Sequence, residues 1–329
     1  MDVEKYSIVI PVYGNQESLE DLVGNLESLV GKIPGELEVI FVVDGSPDES
    51  LRVLMDHLPR AAFRSQLLAL SRNFGSFPAI AAGLNASSGD YISIIAADLQ
   101  EPPDLPLRFF EELKGGECDL VVGQRIARDD PLLSKFMASS FWFLYRKLVQ
   151  RNMPPGGIDV FACNRRVRDT LVQFTESNTS LVGLLLWVGF RRRVIAYRRL
   201  PRPYGTSAWS LKRKLRYLKD SIFAFSDLPI RALGLVGILG ILIALGMSLV
   251  VLIAKLTGRI DVPGYTAEVI TIVFFGGLNS LGLSLIGEYL WRAFENSKRR
   301  PRFIVMTQQQ YGPENAKASS TLDEIARSH

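Results

Sequence analysis

Residues 6–44, YSIVIPVYGNQESLEDLVGNLESLVGKIPGELEVIFVVD, hold a complete strand–helix–strand unit. YSIVIPV (6–12) and LEVIFVVD (37–44) are dense apolar, β-branched runs, so each reads as a strand buried on both faces. Between them ESLEDLVGNLESLV (17–30) repeats its apolar residues near the 3.6 period of a helix. The rhythm continues outward. SQLLALS (65–71), GDYISIIAAD (89–98) and CDLVVGQ (118–124) read as further buried strands, and DESLRVLMDHL (48–58), FPAIAAGLNAS (77–87) and LPLRFFEELK (105–114) as helices. Alternating strand and helix predicts an α/β fold with a mostly parallel sheet and helices on both faces. Its ligand site is expected at the carboxyl ends of the strands.

Those ends are polar turns. The first strand runs into Pro11-Val12-Tyr13-Gly14-Asn15-Gln16-Glu17, the second into Asp44-Gly45-Ser46-Pro47-Asp48, and the fourth into Ala96-Ala97-Asp98-Leu99-Gln100-Glu101. Taken singly, Asp44 and Asp98 read equally well as helix caps or turn residues. No GxGxxG follows the first strand and no GxxxxGK[ST] occurs, which argues against a dinucleotide-binding oxidoreductase and a P-loop NTPase.

The chain has 329 residues, 47% hydrophobic, with 38 Lys+Arg against 34 Asp+Glu. Two cysteines and two histidines supply neither a disulfide framework nor a Cys/His metal site. The apolar residues are concentrated late. Residues 232–254 and 269–287 are two uncharged runs, each long enough to span a bilayer as a helix. Residues 191–219 carry eleven Lys/Arg and no acid, and Arg292, Lys298, Arg299, Arg300 and Arg302 follow the second run. The positive-inside rule then places both termini and the sheet domain on the cytoplasmic side of an inner or plasma membrane. The start lacks a signal-peptide pattern. Residues 208–226 place Leu211, Leu215, Leu218, Ile222 and Phe225 on one helical face with basic residues elsewhere, the pattern of an amphipathic helix at an anionic bilayer surface. Residues 133–150 are a second, aromatic-rich candidate for such a surface helix, with ordinary packing against the catalytic domain as the favoured of the two readings. The expected organisation is a catalytic domain over 1–207, an amphipathic juxtamembrane segment over 208–230, a two-helix transmembrane hairpin over 231–291, and a basic segment with a polar, mobile tail over 292–329.

The order IPVYGNQES, VVDGSPDES, LSRNFGSFPAIAAGL and AADLQEPPD resembles glycosyltransferase family 2, whose catalytic domain has the GT-A fold. Tyr197 through Arg199, Arg202, Gly205 and Ser207 to Trp209, SIFAFSDLPIR (221–231) and GEYLWRAFENSKRRPRFIV (287–305) resemble its polyisoprenyl-phosphate glycosyltransferases. The resemblance implies transfer of one sugar, with inversion, from a nucleotide sugar to a lipid phosphate such as undecaprenyl or dolichyl phosphate. UDP-glucose is the expected donor, with GDP-mannose or another UDP-sugar as alternatives. It further implies that Pro11, Tyr13, Glu17, Asp44 and Gly45 line the nucleotide with Arg72 close by. Asp98 and Gln100 would face the donor diphosphate and a Mg²⁺ or Mn²⁺ ion, which suits oxygen ligands. Asp98 and Asp159 are the implied catalytic carboxylates, and Arg199, Arg202 and Ser207 the implied phosphate contacts; Arg125 joins them by its place at a strand end.

The pattern is incomplete in four places. Val43 and Ala96 stand where the family commonly has aspartate, Ala208 where it often has lysine, and Phe161 where it often has arginine. A general base is not required of Asp159, because a phosphate monoester has its second pKa at about 6 and arrives largely dianionic. Positioning and charge are its expected roles. A processive synthase is disfavoured by the lack of a Gln-x-x-Arg-Trp motif and by only two apolar spans. A nucleic-acid partner is disfavoured because the membrane runs account for the basic stretch. A non-catalytic membrane scaffold remains the competing reading, and nothing in the sequence excludes a homo-oligomer.

Overall fold

The computed structural model describes residues 3–125, 158, 160–176, 179–205, 219–226, 228–257 and 265–312. Asp159, Ser207, the aromatic-rich stretch 133–150, most of 208–226 and the tail from 313 lie outside the described residues. The chain divides into two compact units, Met1–Lys214 with Pro301–His329, and Leu215–Arg300.

The first unit is built on eight strands: β1 Lys5–Val12, β2 Glu36–Val43, β3 Arg64–Leu70, β4 Tyr91–Ile94, β5 Leu120–Arg125, β6 Phe161–Asn164, β7 Arg192–Tyr197 and β8 Val305–Tyr311. Their order in the sheet is β7-β5-β6-β4-β1-β2-β3-β8. The helices are α1 Leu19–Glu27, α2 Ser50–His57, α3 Ser76–Ala86, α4 Leu105–Lys114, α5 Arg165–Gln173 and α6 Leu181–Trp187. The central strands β4, β1, β2 and β3 are parallel, as the alternating pattern requires.

Period two along β1 sorts its residues between two layers. Tyr6, Ile8, Ile10 and Val12 pack with Leu19, Leu22 and Leu26 of α1, Leu54 of α2 and Phe110 of α4 in one core. On the other face Val9 meets α3, where Gly83 permits the approach: a Cβ there would lie 2.2 Å from Val9 Cγ1. Burying each such Ile, Leu or Phe contributes roughly 2 kcal/mol.

Two expectations need correction. The sheet is mixed, because β6 runs antiparallel to β4 and β5, and β8 runs antiparallel to β3. The segment after Met306 is not a mobile tail over its first residues. Thr307–Tyr311 are paired along β3, and Gln308 Nε2 donates to Gln66 Oε1 at 3.0 Å. The pairing satisfies the backbone groups of a polar segment whose side chains give little sign of burial. Asn164 ends β6 and caps α5 by accepting from Val167 N at 3.0 Å.

Cys163 on β6 is fully buried, and burial pushes its thiol up to about 12. Cys118 is also buried and its thiol is raised for the same reason. Both are therefore poor nucleophiles in the folded chain. A thiol-reagent titration at pH 8 is expected to find no reactive cysteine in the folded protein and two after denaturation; one equivalent reacting without denaturant would show that the sheet opens.

The second unit contains α7 Leu228–Leu256 and α8 Tyr265–Ser297, of 29 and 33 residues. At 1.5 Å per residue α7 is about 43 Å long. Leu235, Ile243 and Leu283 are more than half exposed. Near one end Arg292 bonds Asp220 at 2.7 Å and Glu288 at 3.1 Å, and Lys219 bonds Glu288 at 2.9 Å. Counting only the described residues, no single helix is long and apolar enough to cross a membrane. One bent pair, Lys219–Phe225 with Pro229–Gly240, is so by length and composition.

Candidate active site

Parallel register brings the ends of β2, β1 and β4 side by side, with Val43 opposite Val12 and Ile94 opposite Val9. The loops that follow these ends form two patches. They are joined by Ser18, whose hydroxyl donates to Ala97 O at 2.7 Å. Asp44 and Asp98 follow strands two places apart, a span of about 10 Å, comparable to a nucleoside diphosphate.

The first patch holds Asp44, Gly45 and Arg72. Asp44 is 3% exposed and accepts from Phe74 N at 2.7 Å and Gly75 N at 2.8 Å, so both carboxylate oxygens fasten the loop after β3. Burial raises its pKa, and the two N–H donors and Arg72 oppose that rise. Arg72 lies over the Phe74 ring, 4.0 Å from its centre. Tyr13 and Glu17 are exposed on the loop after the neighbouring β1, and Pro11, near the end of β1 itself, is half-buried. Asp48, which the sequence reading passed over, ties the two loops: it accepts from Ser46 Oγ at 2.6 Å, Ser50 N at 3.1 Å and Gln16 N at 3.0 Å. Burial works against its charged form, but these donors outweigh burial and lower its pKa. Its signal was the Ser-Pro-Asp turn itself, a common side-chain-to-backbone bonding pattern.

The second patch is ionic. Asp98 Oδ2 receives Arg202 Nη2 at 2.5 Å, with Arg199 Nη2 at 3.6 Å. Gln100 Oε1 accepts from Arg199 Nη2 and, at 3.3 Å, from Arg202 Nη2. Gln100 also exchanges bonds with Leu200, from Leu200 N to Gln100 O at 2.8 Å and from Gln100 Nε2 to Leu200 O at 3.3 Å. The arginine segment is therefore laid against the motif by backbone as well as side-chain bonds. Leu99 between them has φ +56°, one of two non-glycine residues with positive φ among the described residues. That conformation costs about 1 kcal/mol and belongs to the turn from which both flanking side chains meet one guanidinium nitrogen.

Glu101 is the second residue the sequence reading missed. It is 9% exposed, and its Oε2 has no hydrogen-bond partner. Burial, then the Asp98 charge, push its carboxyl up to about 7 against the pull of Arg199 and Arg125. Arg125 ends β5 opposite Tyr197 of β7, which places it beside the Arg199 segment. The structure thus brings together Asp98, Gln100, Arg125, Arg199 and Arg202, and separately Asp44, Gly45 and Arg72.

The oxygens of Asp98 and Gln100 converge on one positively charged nitrogen. Two hard oxygen ligands on one point fit a Mg²⁺- or Mn²⁺-sized ion whose remaining ligands come from phosphate and water. Among the described residues no group of three or more His, Cys, Asp or Glu side chains is placed to hold a metal.

The family model for glycosyl transferase family 2 matches residues 7–173. An uncharacterised glycosyltransferase of Synechocystis sp. is 31% identical over 299 residues, 91% of this chain and 94% of that one. The bactoprenol glucosyl transferase of Shigella phage SfV is 29% identical over 307 residues, 93% of this chain and 99% of that one. Glucosyl-3-phosphoglycerate synthase from Mycobacterium tuberculosis, solved with Mn²⁺, UDP and phosphoglyceric acid, is 16% identical and aligns with a TM-score of 0.45 over 67% of this chain and 76% of that one. The matched residues run from β1 through β6 into α5 and include the loops that carry Asp44 and Asp98, and the chain belongs to glycosyltransferase family 2.

Proposed function

We propose that this glycosyltransferase moves one sugar, glucose from UDP-glucose, to a polyisoprenyl phosphate at the cytoplasmic face of a membrane, with inversion at the anomeric carbon. The observation that carries the reading is the convergence of Asp98, Gln100, Arg199 and Arg202 at the strand ends. Guanidinium forks suit phosphate oxygens. A dianionic lipid phosphate and an anionic donor must share the site, so cations are needed to offset their repulsion. The two uncharged runs of the sequence, 232–254 and 269–287, support a membrane-bound acceptor, as do relatives named for bactoprenol glucosylation. In this reading α7 and α8 form the transmembrane hairpin, both termini are cytoplasmic, and the basic residues around it hold the sheet domain at the anionic leaflet.

Asp98 and Gln100 would hold Mg²⁺ or Mn²⁺, which offsets the charge developing on the leaving diphosphate. The chain's own residues bind and orient. Asp44 and Gly45 fix the loop that carries Arg72 beside the nucleotide. Arg199, Arg202 and Arg125 present positive charge to phosphate oxygens, and Ser207 and Asp159 complete the acceptor side. No side chain has to remove a proton from the nucleophile, because the phosphate arrives ionised.

The test is transfer of radiolabelled sugar to undecaprenyl phosphate by the full chain in detergent, from UDP-glucose and in parallel from GDP-mannose and other UDP-sugars, with Mg²⁺ or Mn²⁺ and with EDTA. Lipid-extractable label from UDP-glucose that disappears with EDTA is the expected result. Label from another donor would correct the sugar. Absence of label from every donor, with the protein folded, would favour the non-catalytic scaffold suggested by Val43 and Ala96.

A further inference from the structure

Asp98 and Gln100 are not bare in this structure. Arg202 Nη2 spans them at 2.5 and 3.3 Å, and Arg199 Nη2 reaches Gln100 and lies 3.6 Å from Asp98. Two guanidiniums therefore share the two oxygens that would take a divalent cation. A doubly charged ion on the same oxygens and two guanidiniums within ion-pairing distance repel each other. The Asp98 side chain is 12% exposed and each arginine 25%, so water screens this conflict less than it would on an open surface.

The patch also carries an imbalance. The guanidiniums of Arg199, Arg202 and the nearby Arg125 outnumber the carboxyl groups of Asp98 and Glu101, leaving a positive excess that an incoming anion would complete. Pro201 and Pro203 flank Arg202 and restrict the backbone on both sides. The Leu200 backbone bonds hold the segment against Gln100, so side-chain torsion is the motion by which the guanidinium would exchange partners.

We propose that Arg202, backed by Arg199, is the exchangeable counter-cation of the Asp98–Gln100 oxygen pair, and that it selects the form in which metal enters. While no donor is bound, the guanidinium holds the oxygens and excludes a free divalent cation. When the cation arrives already bound to a nucleoside diphosphate, the guanidinium moves to the diphosphate oxygens and yields Asp98. Metal and nucleotide then bind as strongly coupled partners, each weak without the other. The inference rests on the metal-dependent, nucleotide-sugar reading above.

The experiment measures Mn²⁺ binding to the full chain in detergent by the loss of the free-ion electron paramagnetic resonance signal, without nucleotide and with UDP. Wild type is expected to bind Mn²⁺ alone weakly and to gain strongly when UDP is added. Arg202→Gln is expected to bind Mn²⁺ alone about tenfold more tightly than wild type, a typical coupling between two ligands of one site, and to lose most of the gain from UDP. Arg202→Lys, which keeps the charge, should stay close to wild type, and Arg199→Gln should move in the same direction as Arg202→Gln by less. Circular dichroism melts identify any variant that has lost the fold, in which case Arg199→Gln carries the comparison. If wild type binds Mn²⁺ with UDP but neither glutamine variant tightens Mn²⁺ alone, the exchange is overturned while the functional reading survives. If wild type binds no Mn²⁺ even with UDP, the metal-dependent reading itself fails and the proposal with it.

Discussion

Asp98→Asn is expected to reduce sugar transfer by at least about 100-fold while leaving the sheet folded. Among the described residues Asp98 is the carboxylate that both Arg199 and Arg202 pair with, and Ala96 supplies no second one. An amide in its place removes the full negative charge that holds a cation beside the diphosphate, and it leaves two guanidiniums without their counter-charge. The fold should tolerate this because the Asp98 side chain is not part of the core of β1, β2 and α1, which its neighbours Ala97 and Leu99 continue to join. The check is kcat/KM in the lipid-extraction assay beside a thermal melt in the same detergent. Activity within about fivefold of wild type, with an unchanged melt, would remove Asp98 from the chemistry.

Gly45→Ala is the second large effect, and it acts through the backbone. Gly45 has φ +57°, and a Cβ built there would lie 2.4 Å from Arg72 C and 2.4 Å from Asn73 N. Those are main-chain atoms that cannot rotate away. The substitution must therefore displace the 72–75 loop and break the bonds from Phe74 N and Gly75 N to Asp44. A buried carboxylate left without its donors, added to the strained conformation, gives an expected loss of about 2–4 kcal/mol. That corresponds to a fall in melting temperature on the order of 5–10 °C. Because Arg72 moves with the loop, the KM for the nucleotide donor should rise as well. A variant with wild-type melting and wild-type donor KM would show that this loop neither braces the sheet nor serves the nucleotide.

Much of the fold was legible because local sequence carries it. The runs YSIVIPV and LEVIFVVD are apolar on both faces, which only a strand covered above and below by helices explains, and β1 and β2 are parallel neighbours in register. The carboxyl-end rule then pointed to Asp44 and Asp98 before any contact was known. By contrast, VMTQQQY of β8 alternates no apolar face, and FACN of β6 is four residues long. Such strands are made by backbone bonds to a partner far away in the chain, and the side chains record little of it.

The sequence by itself determined which apolar runs of the parallel strands are buried, which turns end those strands, and which polar residues stand there, because periodicity and turn chemistry are properties of neighbours along the chain. Only the tertiary structure decided that Arg202 meets Asp98 across 104 residues, that Asp44 spends its oxygens on the loop after β3, and that Glu101 lies buried among charges. Those facts come from chain segments brought together by sheet pairing, and the strength of each charge there depends on how much water the surrounding fold removes.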